Sequence, residues 1–467
     1  MNIASYFAAY RETPEAVEAF REFCDEAPEG NKIFNVMRYR GLLPEKRISG
    51  LNLFYLYENF ERLTDDEMHE LENFIKKPFS YIRQMHTLSF VRYPNKVNGM
   101  PNDMYFAQLV KAWKKFYTEN KIELLMSSLM DDYPGFIGVE VAKAMGIPIV
   151  SAYAGGRFTL AYVLTDSDFI PIFYNKLKPE EADKKYQEAL EMMNKEGVTN
   201  QSIVALADSY FNFFNPSAIS KNIGALNASF IRYYFQLPEM ERKIWLSPIE
   251  LFWRQFHYFK NSKISRFFFN KKPIPGQKYV FFPIHFSRDA AIKAITPLVD
   301  QIRLIEDISK VLPSDTTLYV KPHPHWKCSD ISVRDMRHLA KLPKVRLLDY
   351  NCSTKELIKG SQYVIIINSS VGFEAIVQKH KVVSFGAGYP KEVIPRLSHV
   401  QDLMRIEDFK MDWQACKEFI ANSYSHAIFH DRQDWFDVGR WTPTFTERIY
   451  EESMKAREFL LKNRPSR

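Results

Sequence analysis

Five short apolar segments recur between residues 278 and 386, and the stretches between them have helical character. They are KYVFFPI, TLYVKPHPHW, KVRLLD, QYVIIIN and KVVSFG. Apolar runs of strand length that are joined through helices are typical of parallel strands buried on both faces of a sheet. This alternation constrains the fold more than any other feature, and it predicts a doubly wound α/β sheet.

A looser alternation of the same kind runs through residues 30–165. NKIFNVMRY, IELLMSSL and IPIVSAY predict strands, and a long helical stretch begins near Asp65. Gly146 and Pro148 have the spacing of a helix end followed by a strand start. A chain of 467 residues can bury more than one core. We therefore predict an N-terminal Rossmann-like domain over residues 1–170.

The rest of the chain divides by composition. Residues 171–275 contain charged helical pieces and a basic aromatic stretch, and are predicted to be an insertion or linker. Residues 276–400 form the second Rossmann-like domain, and residues 401–467 are predicted to be helices that pack back across the domains.

Charge and cysteine usage narrow the class of protein. Lys and Arg number 63 against 56 Asp and Glu, a net charge of +7 that favours anionic ligands without requiring nucleic acid. The four cysteines form no CxxC pair, which argues against a zinc knuckle or a disulfide framework. No apolar run approaches the ~20 residues that cross a bilayer, and the N-terminus lacks the pattern of a signal peptide. We expect a cytoplasmic protein.

Three predicted strand ends of the second domain carry polar side chains, and ligands bind at such ends in doubly wound sheets. After TLYVKPHPHW come Lys321, His323 and Pro324, where a cation beside an imidazole held by prolines suits a phosphate oxygen. KYVFFPI is followed by His285, Arg288 and Asp289. A solvated loop is the alternative explanation for each one alone.

The third strand end is QYVIIIN, after which a helix is predicted to begin. Hydroxyls of Ser369 and Ser370 beside the first backbone N–H groups of a helix form a physical anion site. Gly372 and Glu374 follow, and Glu374 lies one turn into the helix, where its carboxylate can accept hydrogen bonds from sugar hydroxyls. An ordinary N-cap serine and a glutamate that complements the helix dipole are the alternatives.

The order of these motifs resembles the capsule polysaccharide biosynthesis family of GT-B glycosyltransferases, which includes bacterial Kdo transferases and is related in design to bacterial sialyltransferases. The shared order is strand, HP-bearing loop, strand, Ser-Ser, Gly-x-Glu-Ala, strand and Gly-x-x-Tyr. It covers residues 278–390 well and residues 120–160 loosely.

The resemblance implies a GT-B fold, in which two Rossmann-like domains face a cleft, with the nucleotide-sugar donor on the C-terminal domain and the acceptor on the N-terminal one. It also implies that His323, Ser369 and Ser370 contact the donor phosphate and that Glu374 binds the ribose. Many relatives have a Pro-Glu pair where this chain has Arg288 and Asp289.

Two positions of the N-terminal domain are candidates for the acceptor side. Asp131 and Asp132 follow a predicted strand, where related sialyltransferases carry a catalytic aspartate, and a carboxylate there could act as a general base. A turn before Pro134 and Gly135 explains the pair equally well. Arg157 in AYAGGRF could reach a carboxylate or phosphate of the donor, or lie on the surface.

The stretch FWRQFHYFKNSKISRFFFNKKP mixes cations with aromatic residues. Its composition suits contact with anionic lipid headgroups or with a lipid-linked acceptor, and an inward-packed aromatic face is the plain alternative. A segment that binds nucleic acid by stacking its aromatic residues on the bases would have the same composition, but no RNA-binding motif accompanies this one.

These features predict a metal-independent glycosyltransferase without a cofactor, which moves a sugar from a nucleotide-sugar donor to a glycan or glycolipid acceptor in surface polysaccharide synthesis. A CMP-linked ulosonic acid such as CMP-Kdo is the favoured donor. The alternatives are a UDP-sugar hexosyltransferase, a CDP-polyol phosphotransferase, a nucleotide-sugar 2-epimerase and a non-catalytic binding protein. Contact with the inner face of the membrane is left open.

Overall fold

The computed structural model describes residues 1–6, 30–40, 51–87, 103–127, 132–153, 161–196, 235–236, 242, 248–285, 292, 296, 300–323, 327–429 and 443–463. The chain divides into two compact units. The first contains Met1–His86, Pro101–Lys178 and Asn422–Arg467, and the second contains Thr87–Met100 and Pro179–Ala421.

A seven-stranded sheet forms the centre of the first unit, in the order β12-β6-β5-β4-β1-β2-β3. Strands β1 to β5 pair in parallel, whereas β6 and β12 are antiparallel to their neighbours. The strands are β1 (Asn2–Tyr6), β2 (Lys32–Met37), β3 (Asn52–Tyr55), β4 (Leu124–Ser127), β5 (Ile149–Tyr153), β6 (Ala161–Thr165) and β12 (Ile428–Phe429).

Two helix ends of the first unit follow local sequence signals. The described helices of this unit are α1 (Asp65–Ile75), α2 (Phe79–Thr87), α3 (Asp103–Glu119), α4 (Tyr133–Met145) and α12 (Pro443–Lys462). Thr64 and Glu67 form a reciprocal capping box at the start of α1. Gly146 ends α4 in the left-handed region at a φ of 71°, and this confirms the helix-to-strand junction before β5.

Close packing of α3 and α4 stabilises the first unit. Trp113 of α3 is fully buried, and its Nε1 donates to the carbonyl of Pro134 at 2.8 Å. A Cβ at Gly138 would lie 2.6 Å from the Trp113 ring, so glycine is required where the two helices meet. At the C-terminal end of the chain, Ile449, Tyr450 and Ala456 of α12 share a core with residues of β1, β4 and β5.

The sheet of the second unit is fully parallel, with the order β11-β10-β7-β8-β9. Its strands are β7 (Tyr279–Ile284), β8 (Thr317–Pro322), β9 (Val345–Leu347), β10 (Val364–Ile366) and β11 (Val382–Ser384). Each lies inside one of the five apolar segments. The prediction of an α/β fold with doubly wound sheets is therefore confirmed, and the first sheet adds two antiparallel strands.

The described helices of the second unit are α5 (Pro179–Glu196), α6 (Pro248–Phe268), α7 (Gln301–Val311), α8 (Val333–Lys341), α9 (Thr354–Gly360), α10 (Ser370–Val377) and α11 (Trp413–Ser425), whose last turn belongs to the first unit. In the described part of the chain, 3₁₀ helices occupy Tyr57–Asn59 of the first unit and Val400–Asp408 of the second. The residues of α5 and α6, placed in a linker by the sequence, lie in the second unit, where Asn261 Nδ2 of α6 donates to the Ser329 carbonyl at 3.0 Å.

Both sheets reverse their strand order beside the first strand of the unit. In the first unit the reversal lies between β1 and β4, and in the second it lies between β7 and β10. The carboxyl ends of parallel strands at such a reversal form the usual ligand-binding crevice of open α/β sheets. Among the described helices, none is long and apolar enough to cross a membrane.

Candidate functional site

The carboxyl edge of the second sheet contains the described candidates for donor binding. Lys321 lies in β8 and His323 follows it, Ser369 and Ser370 follow β10, and His285 follows β7. Because β7, β8 and β10 are parallel neighbours, their carboxyl ends meet at this edge. The structure thus brings the three predicted strand ends together around one strand-order reversal.

Ser369 is the N-cap of α10. Its backbone is extended, with φ −115° and ψ 144°, and its Oγ accepts a hydrogen bond from Val371 N at 3.1 Å. Its carbonyl accepts from the Tyr389 hydroxyl at 2.8 Å, so the motif after β11 fixes the start of the helix. Ser369 is buried and Ser370 is half-buried. The capping role seen for Ser369 is compatible with an anion site at the same helix end.

Glycines set the backbone around this helix end. A Cβ at Gly372 would lie 2.5 Å from Ile366 Cδ1, so the absence of a side chain lets α10 lie close to β10. A Cβ at Gly388 would overlap the side-chain amide of Asn368. The turn after β11 therefore passes directly against the residue that precedes the serine pair.

Lys321 is nearly fully buried, with 5% of the residue exposed. Its Nζ donates to Thr354 Oγ1 at 3.1 Å, which links the end of β8 to the first residue of α9. Burial lowers the pKa of Lys321, and the nearby acidic groups of Glu374, Cys352 and Asp349 act against that shift. A cation is thus held in a low-dielectric position at the sheet edge.

Glu374 lies in α10, close enough to Lys321 for the two charges to interact. Burial raises the pKa of Glu374 to about 7, although Lys321 acts to lower it. The carboxyl group is therefore close to half-ionised at neutral pH. A titratable group whose pKa is shifted by desolvation and by a neighbouring cation thus lies at the strand ends. Groups with shifted pKa values are common in functional sites.

The backbone of His285 is held by one side chain. Gln301 Oε1 accepts from His285 N at 2.8 Å, and Gln301 Nε2 donates to the His285 carbonyl at 3.0 Å. Burial lowers the pKa of His285 to about 4, so the imidazole is neutral at physiological pH. Its Nε2 is shielded from solvent and has no hydrogen-bond partner among the described residues. The carbonyl of His323, after β8, accepts from Lys327 N at 3.0 Å.

Asp132 occupies the corresponding position in the first unit, after β4 and at the strand-order reversal. It is buried and caps α4, because its Oδ1 accepts from Gly135 N at 2.8 Å. The hydroxyl of Tyr6, the last residue of β1, lies 3.0 Å from Oδ1 and 2.8 Å from Oδ2. Both oxygens therefore have protein partners.

Five predicted residues lie outside the described part of the chain: Asp131, Arg157, Arg288, Asp289 and Pro324. Within that part, no group of three or more His, Cys, Asp or Glu side chains is arranged to hold a metal ion.

Thr354, Gln301 and Tyr6 contact the candidate residues, although no motif in the sequence indicates them. Ser353 and Glu356 have the spacing of a capping box, and Ser353 caps α9, so the start of that helix was readable. The partners of Lys321, His285 and Asp132 were not, because each pairing joins distant parts of the sequence.

Residues 172–391 match the family of capsule polysaccharide biosynthesis proteins. This match confirms the resemblance predicted from the motifs, and it begins well before residue 278, so it includes part of the region assigned to a linker. The matched region contains all the described candidates for donor binding. The match supports the predicted class of enzyme, a glycosyltransferase. No curated protein sequence matches the chain.

Solved structures similar to the chain include "Thermosulfurimonas dismutans KpsC, beta Kdo 2,7 transferase", at 12% identity and a TM-score of 0.32, covering 73% of this chain and 89% of that one. Another is the UDP-GlcNAc 2-epimerase of Methanocaldococcus jannaschii, at 12% identity and a TM-score of 0.28, covering 97% of this chain and 99% of that one. Likenesses at these scores carry no argument about substrate or reaction.

Proposed function

We propose that the protein is a glycosyltransferase that takes a sugar from a nucleotide-sugar donor and transfers it to a glycan or glycolipid acceptor in capsular or other surface polysaccharide synthesis. One observation carries the proposal. Lys321, the capped start of α10 and the carboxyl group of Glu374 lie together at the carboxyl edge of the second sheet, and this edge is part of the region that matches the capsule polysaccharide family.

Each group has a role in holding a nucleotide. The N-terminus of α10 carries partial positive charge, and with the hydroxyls of Ser369 and Ser370 it would bind a donor phosphate. Lys321 would offset the negative charge that grows on this phosphate as the glycosidic bond breaks. Glu374 would accept hydrogen bonds from ribose hydroxyls, and His323 would contact the phosphate from the loop after β8.

On the acceptor side, we propose that Asp131 or Asp132 removes the proton from the attacking hydroxyl. Asp132 is the described member of the pair, and its carboxylate is oriented by Tyr6 and Gly135. Asp131→Asn and Asp132→Asn, assayed separately for transfer and for nucleotide binding, identify the base. The base variant keeps nucleotide binding and loses transfer.

We also propose which nucleotide sugar is the donor. A CMP-linked ulosonic acid such as CMP-Kdo is favoured by the HP and Ser-Ser motifs, and stabilisation of the leaving phosphate by Lys321 and α10 is proposed to take the place of a metal ion. UDP-sugar hexosyl transfer and CDP-polyol transfer would use a similar phosphate site. Titration with CMP, UDP and CDP distinguishes these donors.

Calorimetric titration of the protein with CMP, UDP and CDP, with EDTA present, tests the phosphate site. Wild type is compared with Ser369→Ala combined with Ser370→Ala. Ser332→Ala is the matched control. Ser332 caps α8 by accepting from the Asp335 N–H, so this substitution removes a helix cap away from the site. CMP binding that is lost in the double variant and kept in the control supports the proposal.

The other results have distinct meanings. Selective UDP binding would replace the ulosonic acid donor by a UDP-sugar, and turnover of a UDP-sugar without acceptor would identify an isomerase. No nucleotide binding at all would refute the proposal of an enzyme and favour a non-catalytic binding protein. A cytoplasmic site of action, with contact at the inner face of the membrane, completes the proposal.

A further inference from the structure

One side of α6 carries exposed apolar residues in a regular row. Ile249 is 67% exposed, Trp253 52%, Phe256 37% and Phe267 65%. At 3.6 residues per turn, these positions together with Lys260 and Lys263 fall within an arc of about 80° on the helix. We call this row the α6 stripe.

The opposite side of α6 holds the helix against the rest of the second unit. Tyr258, Asn261, Ser262 and Ser265 are buried, and they lie on the face away from the α6 stripe. Asn261 Nδ2 donates to the Ser329 carbonyl at 3.0 Å. This face, together with Phe268, which packs against the core of the second unit, therefore orients the helix, whereas the apolar residues of the α6 stripe are exposed to solvent.

The sequence around the α6 stripe is predominantly basic, with Glu250 as the one acidic residue of α6. From Leu251 to Lys278 the sequence contains seven Lys or Arg residues and no Asp or Glu. Lys263 Nζ lies 5.5 Å from the centre of the Phe259 ring, and the Arg266 guanidinium lies 5.0 Å from that of Phe267. Cations and aromatic rings are thus interleaved on one surface.

We infer that the α6 stripe docks on an anionic lipid surface. Tryptophan and phenylalanine favour the boundary between headgroups and acyl chains, and lysine and arginine interact with anionic headgroups. The charge complementarity selects this partner, because a predominantly basic surface gains attraction from each lysine or arginine near an anionic membrane. The inference extends the proposed membrane contact by assigning its surface, and it requires no particular sugar donor.

Sedimentation with lipid vesicles tests the inference, with no nucleotide present. Vesicles of phosphatidylcholine are compared with vesicles that also contain phosphatidylglycerol. The wild type should bind the second kind more tightly, and added salt should weaken this binding. Lys260→Gln combined with Lys263→Gln should weaken it by about fivefold per lysine, or roughly 25-fold in total.

The apolar part of the α6 stripe is tested separately. Trp253→Ser, Phe256→Ser and Phe267→Ser together should weaken binding by roughly tenfold or more, the factor expected when even one aromatic ring is withdrawn from an apolar environment. Met404→Ser with Trp413→Ser is the matched control, because both residues are exposed on the same unit. Lys359→Gln with Lys410→Gln controls for net charge.

Equal weak sedimentation with both kinds of vesicle would overturn the inference, as would equal losses in the stripe variants and their controls. Binding to an oligouridine that the stripe variants lose, without vesicle binding, would replace the lipid by a nucleic acid. Nucleotide titration of the same variants separates this test from that of the proposed function, since the phosphate site does not include α6.

Discussion

Replacing Glu374 by glutamine should remove a pH dependence from the stability of the second unit. Glu374 is half-buried in α10, and this desolvation raises its pKa to about 7 from an ordinary value of 4.5. Glutamine has nearly the same shape and does not titrate. The variant therefore separates the effect of the charge from the effect of packing.

The sign follows from where the proton is held. Between pH 4.5 and about 7 the folded state keeps a proton on Glu374 that the unfolded state releases. Stability therefore falls as pH rises through this window, and the loss is complete above it. The difference between the two pKa values corresponds to roughly 3 kcal/mol. Relative to the wild type, Glu374→Gln should thus gain about 3 kcal/mol between pH 4.5 and pH 8.

A local probe is needed because the chain has two units. Cys328 is buried in the core of the second unit, so its alkylation in increasing urea, read by mass spectrometry, reports the opening of that unit. The measurement is made from pH 4.5 to 8.5. Glu392→Gln, at an exposed carboxylate of the same unit, is the control and should follow the wild type. If Glu374→Gln also follows the wild type at every pH, the carboxyl group does not hold a proton near neutral pH and the reasoning is refuted.

Three further predictions concern the site. Calorimetry of CMP binding in buffers of different ionisation enthalpy should detect release of a proton near pH 7 in the wild type and none in Glu374→Gln. The reason is that ribose hydroxyls would select the ionised carboxylate. Equal proton release in both proteins would contradict this role of Glu374. Gly388→Ala should reduce nucleotide affinity measured by the same titration, since its Cβ would displace Asn368; unchanged affinity would show that the serine pair tolerates the shift. Tyr6→Phe should lower the stability of the first unit in urea by about 1 kcal/mol through the lost hydrogen bond to Asp132, and no loss would mean that this bond does not contribute to folding.

The strands that the sequence predicts are those with continuous apolar runs. β7, β8 and β10 are buried on both faces, so nearly every residue is apolar and the pattern is unambiguous. β1 was not predicted, because NIASY is short and contains small and polar residues, although four of its five residues are buried. β6 and β12 pair antiparallel at one side of the first sheet, an arrangement that the alternation of strands and helices does not indicate.

The candidate site shows the same limit. Strand ends and helix starts are local features, so the positions of Lys321, Ser369 and Glu374 were readable in advance. The hydrogen bond from Lys321 to Thr354 spans 33 residues, and that between His285 and Gln301 spans 16. Such pairings depend on strand order and on the packing of side chains, which a single sequence does not specify. The pKa shifts depend on burial and could not be predicted either.

The two units place chemically opposite helix caps at equivalent positions of their sheets. At the reversal in the second unit, α10 is capped by a serine, and Lys321 lies at the same edge. At the reversal in the first unit, α4 is capped by the buried carboxylate of Asp132. A hydroxyl cap beside a cation suits an anionic phosphate, whereas a carboxylate repels a phosphate and suits a hydroxyl group that must lose a proton. This contrast supports donor binding by the second unit and acceptor activation by the first.

Ser369→Asp tests whether this difference in caps determines where the donor binds. Aspartate caps helices as well as serine does, so the variant keeps the helix cap. Because position 369 is buried, the added charge should lower the stability of the second unit, and urea unfolding of the variant measures that loss separately from nucleotide affinity. The variant places a negative charge where the phosphate is proposed to lie, and two like charges about 4 Å apart repel by roughly 4 kcal/mol in a partly buried site, about a thousandfold in affinity. Ser332→Asp, the same change at the cap of α8, should leave nucleotide affinity unaltered. If Ser369→Asp still binds nucleotide as the wild type does, the phosphate does not lie at the start of α10, and the assignment of the donor to this edge of the sheet is wrong.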